Sequence, residues 1–332
     1  MTPTPEEKLA SAPFNDVRAD LILQSNDEVP VHFRVSKFLL SVASPIFADM
    51  LTIPLPASQE SQEAQVVALP EDSETLDLSL RHLYPVRSPE VAELRQTRIL
   101  ADFAHKYQVD ALEQDITRYL TDAIGRDPVG VYAIADRYGY KSIGAKAALL
   151  SLNLHFSRLR SQHVQYAPAE LELLRYHAAC GEAASAVASQ RTWFPPWVHN
   201  IAFNTHEDMG GVSCKACETR DFISATPRII AFAPSLSELA ARRQASGRKP
   251  PPPGTRFGPQ CLWNYLHRSA VVLAHHPTAD AVTTEDFVLR ELNCLDCPRN
   301  TRRDMLAFSR LFGTEIKKAV ERVPLPETLR DC

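Results

Sequence analysis

The amino-acid sequence predicts an α+β fold, in which a small sheet with a cluster of helices precedes a mainly α-helical domain. Apolar residues alternate with polar ones near the start of the chain, and this two-residue period is typical of strands. From Lys37 onwards apolar residues recur mostly at three- and four-residue spacing, which is typical of helices. Strands therefore come first and helices follow, which is the order expected of an α+β domain.

A strand pair opens the predicted sheet. Residues 21–23 form a short apolar run, and residues 25–28 (SNDE) have the composition of a tight turn. In the next segment Val31, Phe33 and Val35 alternate with polar residues, as in a half-buried strand. The two runs are close enough in sequence to pair directly.

Two short helices are predicted to follow the second strand. The first carries apolar residues at helical spacing, namely Phe38, Leu39 and Val42. Ser44 is a suitable N-cap, and Pro45 is tolerated at the first helical position, so a second helix begins there. Its inward face is predicted to consist of Phe47, Met50 and Leu51.

The remainder of the first domain reads as one more strand and several helices, ending near Gly125. A strand is predicted at residues 66–69, and Asp72 is the expected cap of a helix whose buried residues are Leu76, Leu80 and Leu83. A further helix carries Leu100, Phe103, Ala104 and Tyr107. Asp110 and Glu113 have the spacing of a capping box for the last helix, whose apolar residues are Leu112, Ile116, Tyr119 and Leu120.

This order of elements resembles a BTB/POZ domain over residues 14–124. The residues that match the family pattern are Asp20, Phe33-x-Val35-x-Lys37-x-x-Leu39-Leu40 and Ser44-Pro45-x-Phe47-x-x-Met50. Ser36 is a departure, since many members of the family have a histidine there. The fold implied by the resemblance is a small sheet with a helical cluster.

The resemblance implies a protein–protein interaction module that self-associates or acts as an adaptor or scaffold. Asp20 and Lys37 match positions where members of the family place a charged pair near the dimer seam. The alternative is that Asp20 simply ends its strand while Lys37 extends along a helix surface. Some relatives deliver substrates to a cullin ubiquitin ligase, but the segment Leu55–Glu60 fits the apolar–x–Glu pattern of such adaptors poorly.

Composition excludes several classes of protein. The chain has 332 residues, of which 45% are hydrophobic and 23% charged, as expected of a globular protein with two domains. No apolar run reaches the roughly 20 residues needed to cross a membrane, and the N-terminus lacks the layout of a signal peptide. An intracellular location, cytoplasmic or nuclear, is therefore expected. Residues 1–125 contain 10 Lys and Arg against 20 Asp and Glu, so nucleic-acid binding by this part is disfavoured.

The N-terminal tail and the C-terminal half of the chain are predicted to differ in how far they are folded. Residues 1–13 are expected to be a flexible tail, and residues 125–332 a helical domain interrupted by a basic, Pro-rich linker at 242–259. Asp127 followed by Pro128 predicts a helix start, and further helices are expected over residues 142–154, 169–188 and 300–323. The last of these carries one apolar stripe, formed by Met305, Phe308, Phe312, Ile316 and Val320.

Two CxxC pairs suggest a structural zinc site in the second half. Cys214 and Cys217 form one pair and Cys294 and Cys297 the other, and together they supply the four thiolates that tetrahedral Zn²⁺ prefers. The long separation between the pairs leaves unrelated buried thiols as an alternative. A redox-active CxxC lacks the expected strand–CxxC–helix setting, and disulfides are disfavoured in a reducing compartment. Similar paired cysteines occur in the C-terminal halves of fungal BTB proteins, which the chain resembles in this respect.

No catalytic motif is found in the sequence. It contains no GxGxxG, GxxxxGK[ST], HExxH or GxSxG pattern, so we expect a protein that is not an enzyme. The alternative to an interaction module is a zinc-stabilised nucleic-acid-binding or transcriptional regulator, which would use the more basic residues 126–332.

Overall fold

The computed structural model describes residues 8–52, 64–159, 167–189, 260–290 and 299–329. By their contacts these residues form two compact units. The first unit contains residues 8–148, the short segment 167–169 and residues 328–329, and the second contains residues 149–159 and 170–327, in each case as far as they are described. Among the described residues, no helix combines the length and the hydropathy needed to span a bilayer.

In the described part of the first unit, four strands form a sheet with the order β1-β3-β2-β4. Its strands are β1 (Lys8–Leu9), β2 (Leu21–Gln24), β3 (Val31–Val35) and β4 (Gln65–Ala68). The predicted pairing of the first two apolar runs is confirmed, because β2 and β3 are antiparallel with Leu21 opposite Val35. β4 pairs parallel with β2, and β1 pairs parallel with β3.

The short strand β1 lies in the segment that was predicted to be a flexible tail. Lys8 is opposite Val31 and Leu9 is opposite His32, and the Ala10 amide donates a further hydrogen bond to the His32 carbonyl at 2.9 Å. Residues 8–10 therefore extend the sheet beyond β3. Sequence pattern did not indicate this strand because two residues are too few to show a period.

Within the described residues the first unit has seven α-helices, two of them between β3 and β4 and five after β4. They are α1 (Lys37–Ala43), α2 (Pro45–Thr52), α3 (Ser73–Leu83), α4 (Leu94–Tyr107), α5 (Glu113–Ala123), α6 (Pro128–Tyr138) and α7 (Lys141–Ser151), the last of which ends at the start of the second unit. α6 packs against α4 and α5. The compact unit therefore continues past residue 124, where the sequence suggested a domain boundary.

Three of the predicted helix caps are confirmed by hydrogen bonds. The Ser44 hydroxyl accepts from the Phe47 amide at 3.0 Å and donates to the Tyr107 carbonyl. The Asp72 carboxylate accepts from the Thr75 amide and the Asp127 carboxylate from the Gly130 amide, both at 2.8 Å. Each of these side chains satisfies an N–H group that has no partner inside its helix.

The capping box predicted at Asp110 and Glu113 is wrong. Residues Asp110–Leu112 form a 3₁₀ turn that leads directly into α5, and neither element begins with a side-chain cap. The Gln96 side chain instead accepts a hydrogen bond from the Glu93 amide at 3.3 Å, at the start of α4. The 3₁₀ turn supplies backbone hydrogen bonds at the start of α5, so a side-chain cap is not required there.

Aromatic side chains form much of the core of the first unit. Phe14 lies against Phe33 and Tyr84, with ring centroids 5.8 and 5.1 Å apart. Phe47 stacks on Tyr107 at 4.6 Å, so α2 is fixed on α4 by ring contacts. Burial of aromatic rings of this size is among the largest contributions to the stability of a small core.

The second unit is built from helices as far as it is described. They are α8 (Ala167–Ala188), which begins in the first unit, α9 (Gln260–Leu273), α10 (Asp280–Thr283), α11 (Glu285–Leu289) and α12 (Arg299–Glu321). The predicted stripe of the last helix is confirmed, since all five of its residues are buried. Tyr265 of α9 packs edge-on against Phe308 and Phe312, and its hydroxyl donates to the Val282 carbonyl at 2.9 Å.

Candidate protein-docking surface

Asp20 and Lys37 are brought together by a hydrogen bond to the backbone. The Asp20 carboxylate lies just before β2 and accepts from the Lys37 amide at 2.8 Å. Lys37 is the first residue of α1, and the N-cap residue Ser36 forms no side-chain capping bond. The Asp20 side chain is exposed and acts as the missing cap of α1.

A second side chain also holds the start of α1. The Ser36 amide donates to the Tyr84 hydroxyl at 2.7 Å, across a separation of 48 residues. Burial raises the pKa of the Tyr84 phenol, so the hydroxyl is neutral at physiological pH. No local sequence pattern could have indicated this long-range contact of Tyr84.

The outward face of α1 is apolar. Phe38 is 73% exposed and Val42 is 72% exposed, whereas Leu40 is the buried residue of this helix. At about 100° per residue, Phe38 and Val42 lie about 40° apart and nearly opposite Leu40. The sequence predicted that Phe38, Leu39 and Val42 share one helix face. In the structure Phe38 and Val42 point away from the core.

The inward face predicted for α2 is confirmed only at its first member. Phe47 is fully buried, whereas Met50 and Leu51 are partly exposed. Single exposed apolar residues are common on protein surfaces, but a phenylalanine and a valine on one helical face form a patch. We refer to Phe38 and Val42 as the α1 face. Together with Asp20 and Lys37 at the start of the same helix, it is the candidate docking surface.

A polar cleft of about 450 Å³ is also present in the first unit. Lys106 pairs with Glu71, Arg137 lies 3.5 Å from Asp102, and the Tyr138 hydroxyl also donates to Asp102. These acidic and basic groups neutralise each other, so the cleft does not favour a ligand of either charge. Within the described residues, no group of three or more His, Cys, Asp or Glu side chains could hold a metal ion.

The four cysteines predicted to bind zinc lie outside the described residues. Cys214 and Cys217 fall in the segment 190–259, and Cys294 and Cys297 fall in the segment 291–298. The Pro-rich linker at 242–259 lies outside them as well. The zinc site and its ligands therefore stay predictions.

Comparison with known proteins agrees with the described fold of the first unit. A family model of the BTB/POZ domain matches residues 14–124. Kelch repeat and BTB domain-containing protein 8 of Xenopus tropicalis is 27% identical to this chain over 119 residues. That match covers 35% of this chain and only 18% of the relative's length, so the similarity concerns one domain. Residues 14–124 of this chain form a BTB/POZ domain, a module that generally mediates protein–protein interaction.

Proposed function

We propose that this protein is an adaptor or scaffold whose BTB/POZ domain self-associates through the α1 face. The observation that carries this proposal is the exposure of Phe38 and Val42 on one side of α1. Burying two large apolar side chains against a second copy would remove them from water and favour association. A symmetric dimer would place the same face on both subunits, which is the commonest arrangement in homo-oligomers.

The start of α1 supports this assignment. Asp20 and Tyr84 fix the first two amides of the helix region, so the α1 face is held in place before any partner arrives. A docking face that is already ordered loses less conformational entropy on binding. The Lys37 ammonium is not needed for this ordering because Asp20 contacts its backbone, which leaves the side chain available for a partner.

The proposal is tested by substituting the two apolar residues of the α1 face and measuring the molar mass of the full-length protein in solution. We expect sedimentation equilibrium to show a dimer for the wild type and a monomer for the Phe38→Ser, Val42→Ser double variant. Both side chains are exposed, so the fold of the monomer should be unchanged by circular dichroism. Val271→Ser is the matched control, since Val271 is 58% exposed in the second unit and should not affect the mass.

A second substitution examines the predicted charged pair. Lys37→Ala keeps the backbone amide that Asp20 binds, so α1 should remain capped. If the ammonium lies at the seam between two copies, this variant dimerises more weakly than the wild type. Monomeric wild-type protein over a wide concentration range would contradict self-association altogether.

The narrower form of the proposal is that the adaptor serves a cullin ubiquitin ligase. It is supported by the family resemblance and by the BTB/POZ domain itself. The segment in which a cullin-specific pattern was sought includes residues 53–63, which lie outside the described residues. Co-elution of the full chain with a purified cullin N-terminal domain is the expected result, and separate elution of the two proteins would contradict this role.

A further inference from the structure

Four histidines of the second unit lie close together although they come from three separate segments. His155 precedes a short 3₁₀ turn, His177 lies on α8, and His275 and His276 follow α9. The rings of His155 and His275 are 5.9 Å apart, and the Phe156 ring lies 5.7 Å from the His177 ring. We refer to these four histidines as the histidine cluster.

Hydrogen bonds of the cluster fasten residues 153–158 to the rest of the unit. His177 Nε2 donates to the Leu154 carbonyl at 3.2 Å. The Phe156 amide donates to the His275 carbonyl at 3.0 Å, and His276 bonds to the backbone of Asn153. Residues 153–158 are mostly exposed, and these bonds join them to the rest of the unit together with the ring contacts of His155 and Phe156.

The surroundings of His177 favour the neutral form of its ring. The side chain is fully buried, and its Nδ1 atom has no hydrogen-bond partner among the described residues. A neutral imidazole leaves Nδ1 as an acceptor, whereas a protonated ring would place a charged N–H there without an acceptor. Burial lowers the pKa of His177 from its ordinary value of 6.5.

The neighbouring titratable groups add to this preference. His276, His155 and His275 act on His177 by charge repulsion, each of them lowering its pKa. Burial likewise lowers the pKa of His276 from 6.5.

The flanking groups on α8 do not offset this repulsion. Tyr176 and Cys180 bond to each other, and burial raises the pKa of both, to about 11 for Cys180, so they stay uncharged in mild acid. The groups that act on His177 within the described residues therefore include no carboxylate that could stabilise the imidazolium.

We propose that the histidine cluster is a proton-sensitive latch, which holds residues 153–158 at neutral pH and releases them when His177 takes up a proton. Residues 153–158 lie near the start of the second unit, which begins at Leu149, so their release would open the unit there. A histidine with a lowered pKa in the folded state binds its proton more readily once the segment is open. Opening therefore costs most above the open-state pKa near 6.5 and becomes easier as the pH falls, until the closed-state pKa is passed.

The latch is tested by hydrogen exchange of the full chain between pH 7.5 and 5, in buffer containing a chelator so that imidazoles carry no metal. After correction for intrinsic exchange rates, we expect the opening equilibrium of residues 153–158 to rise about tenfold per pH unit in the window below 6.5, for one proton. The same amides should exchange at a constant corrected rate above pH 7. A rate that does not depend on pH across the whole range would overturn the proposal.

Variants identify the histidine responsible. His177→Gln keeps an N–H donor near the Leu154 carbonyl but cannot be protonated, so its pH dependence should be lower by one proton. His267→Gln is the matched control, because His267 is an exposed histidine of the same unit and should keep the wild-type dependence. If His177→Gln does not fold, His276→Gln should make the pH dependence level off at a higher pH, because it removes one of the charges that lower the pKa of His177. If the folded variants keep the wild-type pH dependence of hydrogen exchange, another group causes it and the proposal is wrong.

Discussion

At the scale of single residues, Asp20 shows how one carboxylate can join two elements. It lies just before β2 and accepts a hydrogen bond from the first amide of α1, 17 residues further along the chain. A negative charge at the start of a helix also interacts favourably with the helix dipole. The same residue was considered from the sequence as part of a charged pair or as the end of a strand, and its backbone contact was not foreseen.

We predict that Asp20→Ala loosens the start of α1, whereas Asp20→Asn does so much less because the amide oxygen still accepts a hydrogen bond. Loss of the cap is expected to reduce the stability of the first unit by about 1 kcal/mol. Protection of the Lys37 amide against hydrogen exchange measures the effect directly. Lys37→Ala is the control that keeps the backbone donor, and equal protection in Asp20→Ala and the wild type would show that the carboxylate is not a cap.

At the scale of elements, α1 and α8 show how packing decides which side of a helix is covered. Two turns of α1 present Leu40 to the core and leave Phe38 and Val42 outside. α8 instead approaches its neighbour so closely that a side chain at Gly181 would meet the Ala274 carbonyl oxygen at 2.5 Å. Glycine is therefore required at position 181 for space.

Gly181→Ala is expected to destabilise the second unit by about 1–3 kcal/mol, because the Cβ meets backbone that cannot turn away. Alanine is the better helix former by about 0.5–1 kcal/mol, so propensity alone predicts the opposite sign. Urea unfolding of the full chain followed by circular dichroism distinguishes the two. Gly125→Ala is the control, since a Cβ there has open space. A higher urea midpoint for Gly181→Ala would show that α8 is less tightly packed than described.

At the scale of the whole molecule, the BTB/POZ domain is part of a larger compact unit. The family match ends at residue 124, but α6 follows immediately and packs against α4 and α5. Most residues of α6 are buried, among them Val131, Tyr132 and Ile134. α6 therefore extends the core of the BTB/POZ domain.

A pair of truncated chains tests this extension. A fragment that ends at Ser151 retains α6 and α7, and we expect its melting temperature to exceed that of a fragment ending at Ile124 by more than about 5 °C. The physical reason is that the shorter fragment exposes the apolar surfaces of α4 and α5 that α6 covers. Differential scanning calorimetry measures both, and equal melting temperatures would place the domain boundary at 124.

The zinc content of the protein tests the zinc site predicted in the second half of the chain. We expect about one Zn²⁺ per chain in the wild type and a large loss in Cys294→Ala, because four thiolates are needed to close a structural site. Cys332→Ala is the control, since Cys332 has no partner by sequence spacing. Zinc is measured by mass spectrometry of the metal. Equal and negligible zinc in all three proteins would contradict the predicted site.

Much of the fold could be predicted because it depends on residues close together in sequence. The antiparallel pair of β2 and β3, the caps at Ser44 and Asp72, and the buried stripe of α12 all follow from period or from contacts within a few residues. The fold class and the BTB/POZ resemblance rest on the same local patterns.

What the sequence by itself determined is therefore the order and type of the elements and the class of the first domain. Only the tertiary structure decided that Phe38 and Val42 face outward, and that Asp20 binds a backbone amide. It also decided that histidines 155, 177, 275 and 276 meet. The physical reason is that a helix or strand period is set by the local backbone, whereas burial and polar contacts depend on segments that are distant in sequence and meet only when the chain folds.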